Sequence, residues 1–149
     1  MQPAHFEPQL QNRLQEALNE VLESMCFLSS EDASSDGQQE TGHWVGRRLD
    51  FRGPRDGCFG LRTSLPTARV IASNFLGEEP EDITDDQAGE VIGEVANMVC
   101  GTFLASIDSH QAFDLTTPRP DDQSDPTSLN RVAHTYALDE GELVVWLEI

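Results

Sequence analysis

One segment, residues 85–107, constrains the fold of this chain more than any other, because its spacing predicts a long helix with two unlike sides. At about 100° per residue, the apolar side is formed by Val91, Ile92, Val95 and Val99. Polar and small residues share one narrow stripe elsewhere on the helix: Glu90, Glu94, Asn97 and Gly101. Such a helix needs a partner layer against its apolar side, so the stripe is expected to face away from the core.

Two further helices are predicted before this segment. Apolar residues at helical spacing indicate a helix over 8–27. A shorter helix is expected to begin at Pro66 and to end near Phe75, and its inward-facing residues are predicted to be Val70, Ile71 and Leu76. Thr84 and Gln87 match a capping box, which places the start of the long helix immediately after Thr84.

The predicted strands form two hairpins and one short addition: 43–51 with 57–64, 129–137 with 142–149, and 112–115. The first hairpin turns through a segment rich in Gly and Pro. Residues 29–42 and 119–128 are predicted to be loops, because they are rich in polar residues and, in the second case, in Pro and Asp. With 149 residues, the chain fits a single domain over 1–149.

The charge of the chain excludes several classes of function. There are 27 acidic residues against 9 basic ones, a net charge of −18, and every basic residue is an arginine. Without lysine, the chain has neither a Schiff-base amine nor the phosphate-binding lysine of a P-loop. The negative field also opposes binding to nucleic acid and to anionic membrane surfaces, so neither is expected as a partner.

Cysteine usage and the chain start indicate a cytoplasmic protein. Cys26, Cys58 and Cys100 are odd in number and far apart, which predicts neither a disulfide framework nor a zinc knuckle. No positive stretch followed by an apolar run is found near residue 1, and no segment is expected to span a membrane. We therefore expect reduced thiols and no metal site.

The charges are also distributed unevenly. Residues 47–69 hold six arginines and two acids, whereas residues 70–110 hold nine acids and no base. Two interpretations remain open at this point. The basic hairpin can offset the acidic helices within the fold, or it can form a patch that binds an anion or a partner.

Two glycines accompany the polar stripe in mid-helix, Gly93 and Gly101. Each costs about 1 kcal/mol relative to alanine in a helix, so their presence calls for a structural reason. Removing the side chain lets another chain segment approach closely. That segment can be a neighbour within the fold or the backbone of a partner, and the sequence leaves both roles open.

The stripe resembles the helical signature of the CheC/CheX/FliY chemotaxis phosphatases, which has Asp or Ser, three residues, Glu, two residues, Asn, 22 residues and Pro. Glu94, Asn97 and Pro120 match it. Its first position is Glu90, which keeps a carboxylate but lengthens it by one methylene. CheC and FliY proteins typically have two signatures, and a single one here resembles the stand-alone CheX branch.

The resemblance implies a fold of the α/β class and α+β type. In this CheC-like fold, a mixed, largely antiparallel sheet packs with about three helices. CheX-type members also pair through their sheets, so a homodimer is expected.

The resemblance also implies a reaction, the hydrolysis of phospho-aspartate on a response regulator such as phosphorylated CheY. It gives Asn97 the role of orienting water and Glu94 that of pairing with a partner lysine. The partner would also supply Mg²⁺, and this chain would bring no cofactor of its own. Glu90, Gly93 and Gly101 would then belong to the partner-binding face, and Pro120 would shape a loop.

Two other classes of function fit the same fold. A non-catalytic adaptor would bind a response regulator or another signalling protein, and Glu90 at the first signature position keeps that class open. A structural component of a motor or signalling complex would instead co-purify with a large assembly. Accelerated loss of phosphate from a regulator distinguishes the enzyme from both.

Overall fold

A computed structural model of the chain describes residues 8–26, 28, 31–32, 44–107, 112–121, 131–138 and 141–148. The α-helices among them are α1 (Pro8–Val21), α2 (Leu65–Leu76) and α3 (Asp85–Ile107). A π-helical turn at Leu22–Cys26 continues α1, and a 3₁₀ turn at Pro80–Asp82 precedes α3.

Seven strands within the described residues form one sheet: β1 (Glu31–Asp32), β2 (Trp44–Arg52), β3 (Gly57–Ser64), β4 (Asp114–Leu115), β5 (Arg119–Pro120), β6 (Arg131–Leu138) and β7 (Gly141–Glu148). The strand order is β1-β6-β7-β3-β2-β4, and β5 also pairs with β2. Every pairing is antiparallel. The hairpins β2–β3 and β6–β7 join where β3 pairs with β7.

The helices cover one face of this sheet, which we call the helix face. Because side chains alternate along a strand, every second residue of β2 and β3 points to it, and the buried apolar ones are Val45, Leu49, Phe51, Phe59 and Leu61. α3 lies against β2 and β3, and both α1 and α2 pack against it. The apolar side of α3 is buried in this layer, as the sequence predicts.

The termini of α2 follow from its sequence. The Ser64 hydroxyl accepts a hydrogen bond from the backbone N–H of Thr67 at 3.3 Å, and Pro66 occupies the first turn, where no intrahelical donor is lost. Gly77 ends the helix in the left-handed region at φ 71°. One inward assignment is wrong: Ile71 is buried, but Leu76 is 39% exposed, because the helix ends there and no described element covers it.

Both predicted hairpins are confirmed within the described residues, and so is the span of the long helix. Two predicted loops contain short strands instead. Glu31–Asp32 pairs with β6, and Arg119–Pro120 pairs with β2. A two-residue strand is too short to show an alternation of apolar and polar residues, so its position depends on pairing with the long strand beside it. The remainder of both loops, 29–30, 33–42 and 122–128, lies outside the described residues.

α3 is also long and apolar enough, by length and composition alone, to cross a membrane. Half of its most apolar stretch is buried inside the fold, against the sheet and the other helices. Packing within the domain therefore accounts for the apolar composition of this helix.

Candidate functional site

The polar stripe of α3 lies on the surface, as predicted. Glu90 and Glu94 are exposed and Asn97 is half-buried, whereas Val91 and Val95 between them are buried. Within the described part of the chain, the side chains of Glu94 and Asn97 have no hydrogen-bond partner. The carboxylate and the carboxamide are therefore available to a molecule that docks on this side of the helix.

The start of α3 is fixed by the predicted capping box. The Gln87 backbone N–H donates to the Thr84 hydroxyl at 3.0 Å, and the Thr84 backbone N–H donates to the Gln87 side-chain oxygen at 2.9 Å. Asp85 follows directly and forms an ion pair with Arg69 of α2. These contacts hold the first turn of α3 and with it the stripe that begins one turn later.

A groove of about 340 Å³ runs beside the stripe. Its lining comes from α3, the end of α2, Arg47 of β2 and the segment before β5. The lining residues are Arg47, Phe75, Leu76, Gly89, Glu90, Val91, Gly93, Glu94, Thr117 and Pro118. The exposed Leu76 thus forms part of the groove wall. Asn97 lies just beyond the groove, almost one helical turn after Glu94.

The two glycines singled out in the sequence have different surroundings. Gly93 is buried, and a Cβ there would lie 3.3 Å from Cβ of Pro118. Gly93 therefore packs closely within the fold, and because it also lines the groove, a partner contact there stays a prediction. At Gly101 a Cβ would meet nothing within 4 Å. A partner contact at Gly101 therefore stays a prediction.

The sequence analysis missed Arg47 and Gly89. Arg47 lies on β2, on the helix face of the sheet, and its side chain crosses to α3. A Cβ at Gly89 would lie 2.0 Å from Nη2 of Arg47, so the absence of a side chain at Gly89 makes room for the guanidinium. The alternation along β2 could have suggested this orientation for Arg47, but nothing local indicates which helix residue it meets.

Pro120, the last position of the helical signature, lies in the sheet close to α3. It lies in β5, directly opposite Arg47 in the ladder with β2, and is exposed. This pairing brings the preceding Pro118 over Gly93. Proline lacks an N–H and is tolerated on an edge strand such as β5. The segment before Pro120 therefore packs on α3 one turn before Asn97.

A second polar cluster lies on the opposite face of the sheet, which we call the outer face. The Cys58 thiol donates to Oδ1 of Asp50 at 3.0 Å, and Arg119 donates to the same oxygen at 3.3 Å. The hydrogen bond from Cys58, followed by Arg119, lowers the pKa of Asp50. Burial and the bond to Asp50 raise the pKa of the Cys58 thiol, which makes it a weaker nucleophile than a free cysteine.

The other cysteines are buried and unpaired. Burial raises the pKa of Cys26 to about 11 and that of Cys100 to about 12, so neither is a thiolate at neutral pH. Across the described ranges, no group of three or more His, Cys, Asp or Glu side chains is arranged to hold a metal ion. The described site therefore offers the carboxylates of Glu90 and Glu94, the carboxamide of Asn97 and the guanidinium of Arg47.

Comparison with protein families identifies one match. A family model described as chemotaxis phosphatase CheX matches residues 45–137, which include β2, α3 and β5 with the whole stripe. No curated protein matches the sequence.

Solved structures with this fold extend over nearly the whole chain. A CheX from Desulfovibrio desulfuricans is 19% identical with a TM-score of 0.73, covering 93% of this chain and 97% of its own. A CheX from Vibrio vulnificus is 19% identical with a TM-score of 0.73, covering 97% and 99%. The CheX–CheY–BeF₃–Mg²⁺ complex from Borrelia burgdorferi has a chain that is 18% identical, with a TM-score of 0.71 and coverage of 93% and 96%. The CheC-like α+β fold expected from the signature is thereby confirmed.

Proposed function

The chain belongs to the CheX family of chemotaxis phosphatases, whose model matches more than half of it, and we propose that it hydrolyses the phospho-aspartate of a CheY-like response regulator. The observation that carries this proposal is the placement of Glu94 and Asn97 on adjacent turns of one exposed helix side, without internal partners among the described residues. The similar chain that was solved together with CheY, BeF₃ and Mg²⁺ supports the choice of partner.

The substrate explains why a carboxamide suffices. A phospho-aspartate is an acyl phosphate, so it is already activated and needs no covalent nucleophile from this chain. The rate then depends on a water molecule held in line with the phosphorus. The Asn97 carboxamide has a donor and an acceptor and no charge, so it can orient that water without repelling the phosphoryl group. In the proposal, Asn97 has this role.

Glu94 is proposed to bind the partner and not to react. A carboxylate close to a phosphoryl group is repelled unless a cation lies between them, and a lysine of the regulator would provide that cation. Glu94 is exposed near the end of the groove, where such a lysine can reach it. The Mg²⁺ that neutralises the phosphoryl charge would be held by the regulator, and the similar chain solved with CheY, BeF₃ and Mg²⁺ supports this part of the proposal.

The acidic surface of this chain would assist the encounter. Asp85, Asp86 and Glu90 lie on the turns before Glu94, and Glu90 and Asp86 are exposed. A surface of one sign attracts a partner face that bears Lys or Arg and speeds association at low salt. The proposal also includes a cytoplasmic location, where response regulators act, and a homodimer formed through the sheets of two copies.

The experiment is the decay of a phosphorylated regulator alone, with the wild-type chain, and with Asn97→Ala. The wild type should accelerate the decay, and Asn97→Ala should lose about 100-fold or more of that acceleration, because misplaced water costs about that much. The matched control is Asn12→Ala, which removes an exposed asparagine from α1, outside the groove. Equal acceleration by wild type and Asn97→Ala would refute the assignment of Asn97.

One observation favours a second candidate, an adaptor that binds the regulator without hydrolysing its phosphate. The first signature position is Glu90 and not Asp or Ser, and Glu90 lies in the groove beside Arg47. The same experiment separates the two functions. Binding of the phosphorylated regulator with an unchanged rate of decay would identify an adaptor.

A further inference from the structure

The side chain of Arg47 is half-buried and packs against α3. Its guanidinium lies against the bare backbone of Gly89, and its Cγ and Cδ would lie 3.8 and 3.9 Å from a Cβ at Gly93. The edge strand β5 pairs beside it, at Pro120. The backbone of Arg47 is thus held in the sheet between β3 and β5, and its side chain packs against α3.

Most hydrogen-bond donors of the Arg47 guanidinium are unused among the described residues. Nη1 donates to the Gly46 carbonyl oxygen at 2.7 Å, and among the described residues this is its one hydrogen bond. A guanidinium has five N–H donors, so most of them are available to a ligand in the groove. Burial lowers the pKa of Arg47, while Asp86 and Glu90 act in the opposite direction, and the group remains a cation at neutral pH.

We infer that Arg47 is a specificity-determining residue that binds a carboxylate side chain of the response regulator; this inference rests on the proposed function. A regulator docked in the groove would then meet a cation at Arg47 and an anion at Glu94. An arginine binds a carboxylate through parallel N–H donors, which defines direction as well as charge. Opposite charges at two points fix the register of a docked protein and reject partners with the wrong pattern.

The ligand of Arg47 is a side-chain carboxylate and not the phosphoryl group. Arg47 contacts α3 at Gly89 and Gly93, whereas the proposed water-orienting Asn97 lies further along the helix. From Gly89 to Asn97 the axis rises about 12 Å, at about 1.5 Å per residue. A phosphoryl group at Asn97 is therefore beyond the reach of the guanidinium as it is held. The contribution of Arg47 to binding should accordingly be the same for the phosphorylated and the unphosphorylated regulator.

The first test compares Arg47→Gln and Arg47→Lys with the wild type in steady-state dephosphorylation. Arg47→Gln should raise KM about tenfold, as expected for the loss of one charged contact, and leave kcat unchanged. Arg47→Lys should recover part of the loss, because it restores the charge but not the planar donors. The control is Arg52→Gln, which removes an exposed arginine from the end of the same strand, outside the groove, and should leave KM unchanged.

A second variant moves the guanidinium without changing the charge. In Gly89→Ala the new methyl group would overlap Nη2, which is the far end of a flexible side chain and can move away. The helix gains an alanine, which favours folding by about 1 kcal/mol, so the variant should remain folded. We expect its KM to rise as in Arg47→Gln.

Three outcomes overturn the inference: an unchanged KM in Arg47→Gln, a loss confined to kcat, or weaker binding confined to the phosphorylated regulator. Binding to the regulator loaded with beryllofluoride separates this inference from the proposed function. If the wild type binds but does not hydrolyse, the proposed reaction fails, and weaker binding of Arg47→Gln and Gly89→Ala still supports the role of Arg47. If neither variant weakens that binding, the role of Arg47 fails whatever the wild type catalyses.

Discussion

Arg47 and Arg48 are neighbours on β2, yet they lie on opposite faces of the sheet and have opposite surroundings. Arg47 faces α3, where its one described hydrogen bond goes to the backbone of Gly46. Arg48 lies over the Trp146 ring at 5.2 Å and donates to the Cys58 sulfur at 3.5 Å. Burial alone would lower the pKa of Arg48, but Cys58 and the carboxylates of Asp121 and Asp50 outweigh it and raise that pKa.

The difference separates polar groups that contact one another from polar groups that are left available to a partner. On the outer face, the arginines, Asp50 and Cys58 bind one another or stack on tryptophan rings, and Arg62 lies over Trp44 in the same way. On the helix face, Arg47, Glu94 and Asn97 keep donors and acceptors that the described residues do not use. Side chains with unused hydrogen-bonding capacity beside a groove are those from which binding and catalysis are expected.

The largest effect on stability is expected when a side chain is added at a glycine on the outer face of the sheet. A Cβ at Gly60 would lie 2.1 Å from Cε2 of Trp146, and this indole is buried and cannot simply swing away. Gly60→Ala should therefore lower the free energy of unfolding by about 2–3 kcal/mol, as overpacking does. Denaturant unfolding measures the change.

The control for that variant is Gly101→Ala on the open side of α3, where a Cβ meets nothing within 4 Å. It should raise the free energy of unfolding by about 1 kcal/mol. Destabilisation by Gly101→Ala, or none by Gly60→Ala, would contradict the contrast between a closed outer face and an open helix side.

A smaller effect is expected on binding when one negative charge is removed from each region. Glu94→Gln should weaken the affinity for the phosphorylated regulator about tenfold, or about 1.4 kcal/mol, and the loss should shrink at high salt. Asp50→Asn removes the same charge from the outer face, where Cys58 and Arg119 already satisfy it, and should leave the affinity unchanged. Isothermal titration calorimetry measures the affinity of each variant for the phosphorylated regulator. Equal losses of affinity in both variants would indicate a general charge effect and contradict a defined contact at Glu94.

The smallest effect concerns acid stability. Because the Cys58 hydrogen bond and Arg119 lower the pKa of Asp50 in the folded state, this group stabilises the fold above its ordinary pKa. That contribution is lost as the pH falls through the lowered pKa. The side chain of Asp50 is 37% exposed, so the effect should be below about 1 kcal/mol.

Unfolding measured between neutral pH and the acid range tests this contribution. The wild type should be more stable than Asp50→Asn near pH 7, and the two should converge in acid. A difference that persists at the lowest pH would contradict the assigned cause.

Much of the fold could be predicted because it depends on local spacing. The capping box at Thr84 and Gln87, the span of α3 and both long hairpins follow from patterns of a few residues. The exposed end of α2 could not be predicted in this way, since Leu76 has the spacing of a core residue but lies where no described element covers it. The short strands beside β2 and β6 depend on pairing with distant residues and have no local signal.

The sequence by itself determined which residues share one side of α3, because helical periodicity is a property of consecutive residues. The placement of Glu94 and Asn97 on an exposed stripe follows from that periodicity alone. The tertiary structure decided what lies beside the stripe. Sheet register places Pro120 opposite Arg47, and close packing places the guanidinium on Gly89. These pairs are far apart in the chain, so only the folded arrangement of β2, β5 and α3 brings a cation to the acidic helix.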